Sequence, residues 1–124
     1  MTRGIRGATT IEKNEKEQII SRTKELIEEM TEKNQVHPED ISHIFISVTK
    51  DINAGFPAKA LRQLTGWTYV PVMCMKEIDV PGSLELCIRV MMVVQTEKQQ
   101  QEIVHTFHHE AVKLRPDLLA ERKG

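Results

Sequence analysis

Apolar residues recur at helical spacing between residues 19 and 30, where Ile19, Ile20, Leu26, Ile27 and Met30, with Thr23 among them, mark one face. Glutamate and lysine fill the other face. The pattern predicts an amphipathic helix over residues 15–33, and Asn14 with Glu17 three positions later reads as its capping box. The charged side of this helix is most simply a solvated face.

The other segments read as strands. Residues 4–8 set Ile5 and Ala8 among Arg3 and Arg6, and Gly4 and Gly7 flank Arg6 where another backbone could approach closely. Residues 41–49 carry Ile44, Ile46 and Val48 against Phe45 and Ser47, a second strand. Residues 68–75 form a third, interrupted by Pro71, which cannot donate to a ladder and so predicts an edge strand or a bulge. Residues 86–95 are the longest and most apolar strand, and their lack of alternation predicts burial on both faces.

Connections fill the rest. Residues 36–40 read as a loop or short helical turn, 50–55 as a loop and 80–83 as a turn. Pro57 opens a short helix over residues 58–64 that Gly66 ends. Residues 97–110 fit a helix, although residues 103–107 also have strand character, and both readings stay open. Pro116 takes residues 114–118 off any helical path, and residues from about 119 to 124 read as a frayed end.

The sum is a single α+β domain over residues 1–124, with a mixed sheet of about five strands, one long helix and one short helix. One helix covers only part of one sheet face. The apolar remainder predicts a homo-oligomer.

Composition narrows the function. A net charge of −1 offers no basic field to nucleic acid or an anionic membrane, and 4% aromatic residues offer few stacking platforms for bases. No stretch approaches a membrane-spanning length. The start of the chain lacks the apolar centre of a signal peptide, so a cytoplasmic setting with Cys74 and Cys87 as free thiols is expected.

The informative exception to the pattern is Arg89, set inside the apolar run Leu86-Cys87-Ile88-Arg89-Val90-Met91-Met92. A guanidinium there keeps its proton, and an unpaired buried charge is costly, so something anionic must meet it. One reading is an internal salt bridge, for example to Glu77 at the end of the third strand. The other is an anion pocket, in which Arg6, Arg89 and Arg115 outnumber nearby carboxylates and bind a ligand's carboxylates through guanidinium forks. Neither is excluded by the residues alone.

Other chemistries have little support. His105, His108 and His109 have helix-compatible spacing but no second cluster, so exposed histidines are the simpler reading than a metal site. Cys74 has no evident histidine partner and reads as a small buried thiol. No phosphate-cradling glycine loop, nucleophile elbow or dinucleotide fingerprint is present.

Several segments, taken in order, carry a resemblance. These are Arg3-Gly4-Ile5-Arg6-Gly7-Ala8-Thr9-Thr10, Phe56-Pro57-Ala58-Lys59-Ala60, Gly66-Trp67, Val70-Pro71-Val72, Cys74-Met75, Glu77-Ile78-Asp79-Val80, Cys87-Ile88-Arg89-Val90-Met91 and Leu114-Arg115-Pro116-Asp117-Leu118. The chain resembles the small monofunctional chorismate mutases of the trimeric α+β class, which are unrelated in fold to the all-helical ones.

That resemblance implies a homotrimer with a barrel-like core and active sites between subunits. It also implies rearrangement of chorismate to prephenate with no cofactor and no metal. Arg89 would donate to the breaking ether oxygen, Arg6 would hold the enolpyruvyl carboxylate, and Glu77 would accept the ring hydroxyl. Cys74 would contact the ring near Glu77. In a regular strand Cys74 and Glu77 point to opposite faces, so irregular backbone is expected near Met75 and Lys76, which also join the pocket. Phe56, Ala58, Lys59, Val72 and Met73 would form the wall from a neighbouring subunit. Arg62 and Arg115 would steer the dianion at the rim, and Leu114 would help cover it.

Two positions depart from the family pattern. Phe107 stands where tyrosine is usual, which removes a hydroxyl from a substrate carboxylate. Met73 stands where a small polar residue is common. Two alternatives to the enzyme follow: a non-catalytic trimeric module that binds small dicarboxylates, and a structural trimer in which Arg89 only pairs with Glu77.

Overall fold

A computed structural model describes residues 1–114. The elements run β1 (Thr2–Thr10), α1 (Lys16–Asn34), β2 (Ile41–Val48), β3 (Val72–Lys76), β4 (Cys87–Gln95) and β5 (Thr106–Phe107). Short 3₁₀ turns occupy Pro38–Asp40, Pro57–Gln63, Gln100–Glu102 and His109–Leu114. The five strands form one mixed sheet in the order β3-β2-β4-β1-β5. β4 pairs antiparallel with β1 and β2, while β2 pairs parallel with β3 and β1 with β5.

The α+β class and the five-stranded mixed sheet match the expectation. β3 lies at an edge, as Pro71 requires, and begins just after that proline. The short helix expected after Pro57 forms, as a 3₁₀ helix over Pro57–Gln63. The ambiguous tail resolves into a two-residue strand between 3₁₀ turns, and the long helical alternative is not formed. Arg115 and the end expected to fray lie outside the described residues.

The core lies between one face of the sheet and α1. Ile5, Ile44, Ile46, Ile88, Met92 and Val94 pack against Ile19, Leu26, Ile27 and Met30. Burying each such side chain contributes about 1.5–3 kcal/mol. Gly7 is needed for this contact. A Cβ there would collide with Met30 Sδ, so β1 and α1 approach through glycine. The close neighbours at Gly4 and Gly7 are thus the side chains of Met91 and Met30, not another backbone.

Two further expectations change. Asn14 does not cap α1: the N-cap is Glu15, without a side-chain cap bond. The Asn14 Oδ1 instead accepts the backbone N–H groups of Asn53 and Ala54, both at 3.0 Å, which ties the helix start to the loop before Pro57. β4 is not buried on both faces within one chain. Ile88, Val90, Met92 and Val94 are buried, but Met91 and Gln95 are exposed and Arg89 and Val93 are half-buried. The cause is that α1 covers one face only.

One buried polar group holds the tail in place. Asn34, at the end of α1, accepts from Val104 N–H at 2.8 Å and donates to Val104 O at 2.9 Å. The side-chain amide acts as a short rung of ladder and fixes the chain just before β5.

Candidate active site

The register builds the uncovered sheet face in rows. Phe45 of β2 pairs with Met73 of β3 and with Met91 of β4, and Met91 pairs with Arg6 of β1. Next to it, Ser47 pairs with Met75 and with Arg89, Arg89 with Ala8, and Ala8 with Phe107 of β5. Paired residues share a face. Arg6, Arg89 and Phe107 therefore stand on one face, in strands spanning β4, β1 and β5. A shallow groove of about 540 Å³ on this face includes Arg6, Ser47, Met75, Glu77 and Arg89 in its lining.

Glu77 follows β3 directly, and its N–H donates to Val48 O at 2.9 Å. Its carboxylate is well held. Oε2 accepts from Ser47 Oγ at 3.2 Å, and Oε1 accepts from the Ile78 N–H at 2.9 Å. Arg89 Nε lies 3.5 Å from Oε2, an ion pair between two partly buried groups. That Nε is itself buried and has no hydrogen-bond acceptor among the described residues. The guanidinium is thus neutralised in part and still carries donor capacity.

The cysteines are quiet. Burial pushes the Cys74 thiol up, against a smaller opposing effect from a backbone hydrogen bond with Ala58. Burial likewise raises the Cys87 thiol, with the Arg89 guanidinium beside it acting in the opposite sense. Both favour the neutral thiol, the wrong state for a nucleophile.

The expected residues separate into two groups. Arg6, Met75, Glu77 and Arg89 lie together on the open face. Phe56, Ala58, Lys59, Arg62, Val72, Met73 and Cys74 line a different cavity, about 680 Å³ in volume, between β3 and the Pro57–Gln63 turn. Cys74 pairs with the fully buried Ile46 and packs on the core side, so it does not meet Glu77 within one chain. The irregular backbone expected near Met75 and Lys76 is absent. Both pair regularly with Ser47 and Val48, so strand alternation decides the faces. Lys76 stays exposed at the end of β3. Leu114 packs beside Ala8, Cys87, Phe107 and Ala111, close to the open face.

The three histidines do not cluster. His105 Nδ1 accepts from Arg6 N–H, His108 Nε2 meets the Glu29 carboxylate, and His109 sits at φ 54° at the start of the last 3₁₀ turn. Among the described residues no three potential ligands stand together. The sequence reading missed Ser47 and His105. Ser47 carried a signal, being the polar residue on the side of its strand opposite Ile44, Ile46 and Val48. His105 carried none, because its contact joins residues 99 positions apart.

Comparison with known proteins adds a consistent result. The profile of the family described as chorismate mutase type I matches residues 2–118. The chorismate mutase AroH of Bacillus subtilis (strain 168) is 53% identical over 118 residues, which cover 95% of this chain and 93% of that protein. The chorismate mutase AroH of Thermus thermophilus is 42% identical over 119 residues, covering 95% of this chain and 97% of the other. Among solved structures, a chorismate mutase from Clostridium thermocellum superposes with a TM-score of 0.85 at 50% identity. That match covers 88% of this chain and 96% of its own.

Proposed function

Because this chain belongs to the chorismate mutase type I family, we propose that it rearranges chorismate to prephenate in a site completed by a second copy of itself. It is an isomerase. One carbon–oxygen bond of the substrate breaks and one carbon–carbon bond forms within the same molecule, through a chair-like transition state. Atoms and electrons balance without a nucleophile or an external redox partner.

The observation that carries the reading is the juxtaposition of Arg6, Glu77 and Arg89 on one open face. Chorismate is a dianion that must fold into a compact conformer before it reacts. Fixed guanidinium groups hold that conformer and convert an entropic cost into binding. As the ether bond stretches, negative charge grows on its oxygen. Arg89, paired with Glu77 through its buried Nε and lining the groove, is the guanidinium placed to donate there. The stabilisation grows with the charge, so it lowers the barrier rather than merely tightening ground-state binding. Arg6 takes the enolpyruvyl carboxylate. Glu77 accepts the ring hydroxyl and faces the positive character that develops on the ring.

Two observations support the second copy. The wall residues Phe56, Ala58, Lys59, Arg62 and Cys74 line a cavity separate from the arginine groove of their own chain. The open face also exposes Phe45, Met73, Met75 and Met91 to solvent. A homotrimer buries that face and brings one subunit's wall to the next subunit's arginines. Lys59 and Arg62 then stand at the mouth, where they attract a dianion. The neutral Cys74 thiol serves as ring contact.

The test is purified protein with chorismate, following loss of the substrate's ultraviolet absorbance and identifying prephenate as product. Saturable turnover that collapses in folded Arg89→Ala supports the reading. Folded, oligomeric wild-type protein with no turnover above background overturns it, and dicarboxylate binding would then be measured instead.

A further inference from the structure

The Arg6 N–H has a side-chain acceptor. It donates to His105 Nδ1 at 2.9 Å. The β1–β5 ladder is only two pairs long, Gly7 with Thr106 and Ala8 with Phe107. At its far end His108 N–H donates to Ala8 O at 2.9 Å. At its near end β5 has not yet begun, and the imidazole of His105 occupies the place a ladder acceptor would fill. Arg6 is therefore held on both sides, by β4 through its pairing with Met91 and by the His105 ring.

His105 is itself braced. Val104, the residue before it, is fixed through both its N–H and its carbonyl by the buried amide of Asn34. A continuous chain of contacts thus runs from the end of α1, through Val104 and His105, to the backbone that aims Arg6. We infer that His105 is a positioning residue for Arg6: by accepting the Arg6 N–H it fixes the strand edge from which the guanidinium reaches the substrate carboxylate. This rests on the role of Arg6 proposed above.

A carboxylate held equally in the ground and transition states appears in KM more than in kcat. His105→Leu removes the acceptor, and the expected result is KM for chorismate raised about tenfold with a smaller change in kcat, the scale of one lost hydrogen bond. His105→Asn, whose amide oxygen falls near the place of Nδ1, should restore KM to within about threefold of wild type. The deciding measurement is the double variant. If His105 acts through Arg6, adding His105→Leu to Arg6→Ala raises KM no further, whereas a merely structural role adds its penalty in both backgrounds. Should His105→Leu fail to fold, His105→Gln, whose amide reaches the outer ring nitrogen's place instead, carries the same expectation of a raised KM. An unmoved KM in the folded acceptor-lacking variant, an undiminished penalty in the Arg6→Ala background, or no rescue by asparagine overturns the positioning role. Absence of turnover in the wild-type protein overturns the mutase reading itself, so the two failures are distinguishable.

Discussion

Arg89 Nε lies 3.5 Å from Glu77 Oε2, and the carboxylate accepts its hydrogen bonds from Ser47 and the Ile78 N–H instead. The pair is charge-matched without a hydrogen bond between Nε and the carboxylate. This relationship separates a scaffold from a site. In a scaffold Arg89 contributes mainly an ion pair, and a partly exposed pair is worth only about 0–1 kcal/mol. In the enzyme, removing one donor to developing charge costs about 3–4 kcal/mol of barrier, or 10²–10³-fold in kcat. Arg89→Ala is therefore expected to lower kcat by at least that factor, with thermal stability shifted by an amount worth about 1 kcal/mol. Parallel kinetics and melting curves check it. A variant that loses stability and keeps its rate would make the arginine structural.

The open face predicts assembly. Phe45, Met73, Met75 and Met91 are between 37% and 62% exposed in the single chain, unusual for large apolar residues grouped on a sheet. Met91→Glu or Phe45→Glu places a charge at the centre of this patch. If the proposed homotrimer forms through this face, the expected outcome is a shift to monomer in analytical ultracentrifugation, with turnover lost although circular dichroism is unchanged. A fully active monomeric variant would refute the shared site.

Much of this fold could be read from periodicity, and the misses have physical causes. Ile19, Leu26, Ile27 and Met30 announced the buried face of α1, because a helix with one wet face repeats every 3.6 residues. Pro71 announced the edge strand, because a missing N–H is a local fact. Asn14 misled because an asparagine before a helix has other acceptors and donors in reach, here the backbone of Asn53 and Ala54. The tail was unreadable because a two-residue strand and 3₁₀ turns have no period. It is held by Asn34 and His105, contacts 70 and 99 residues apart in sequence. For the site, Arg89 stood out as a charge in an apolar strand, and its pairing with Glu77 was among the readings the residues allowed. Ascribing a carboxylate to Arg6 and a wall to Lys59 came from resemblance, since neither has a distinctive local pattern. The faces of Cys74 and Glu77 obeyed strand parity, and the expected distortion that would have joined them within one chain does not form.

Asn34 predicts a large stability effect away from the site. It is 2% exposed and exchanges two hydrogen bonds with Val104 while donating a third to Met30 O. Asn34→Ala strands a half-buried donor and acceptor on Val104, at a cost of about 1–3 kcal/mol. Chemical denaturation should show the midpoint falling with unchanged slope. A change below about 0.5 kcal/mol would mean that water replaces the amide and that the brace is dispensable.

Glu29 predicts an acid limb in stability. Its carboxyl is held below its ordinary value of 4.5, first by the hydrogen bond with His108 and then by Lys33, with burial acting in the opposite sense. A lowered folded value means the folded protein binds the proton less readily than the unfolded chain. The contribution is therefore fully present above about pH 4.5 and is lost as pH falls through the lower folded value. Exposure of the pair keeps the effect modest. Glu29→Gln should flatten the dependence of Tm on pH below about 4.5 and leave its shape at higher pH little changed. Parallel acid limbs in the two proteins would exclude this linkage.

Phe107 offers the sharpest gain-of-function test. Its register partner Ala8 pairs in turn with Arg89, so the ring stands in the same row of the open face. The ring is 9% exposed and packs with Ala8, Cys87 and Ala111. Phe107→Tyr adds one hydroxyl at the ring's far end. If that end faces the groove, the hydroxyl reaches a substrate carboxylate, and a hydrogen bond to a charged group is worth about 1.5–3 kcal/mol. KM should then fall about tenfold or more, with kcat within about twofold and Tm unchanged. If the far end faces the packed cluster instead, the hydroxyl is buried without a partner. Stability should then fall by about 1–3 kcal/mol while KM holds. The row that Phe107 shares with Arg89 favours the first outcome, and steady-state kinetics with a melting curve on this one variant decides between them.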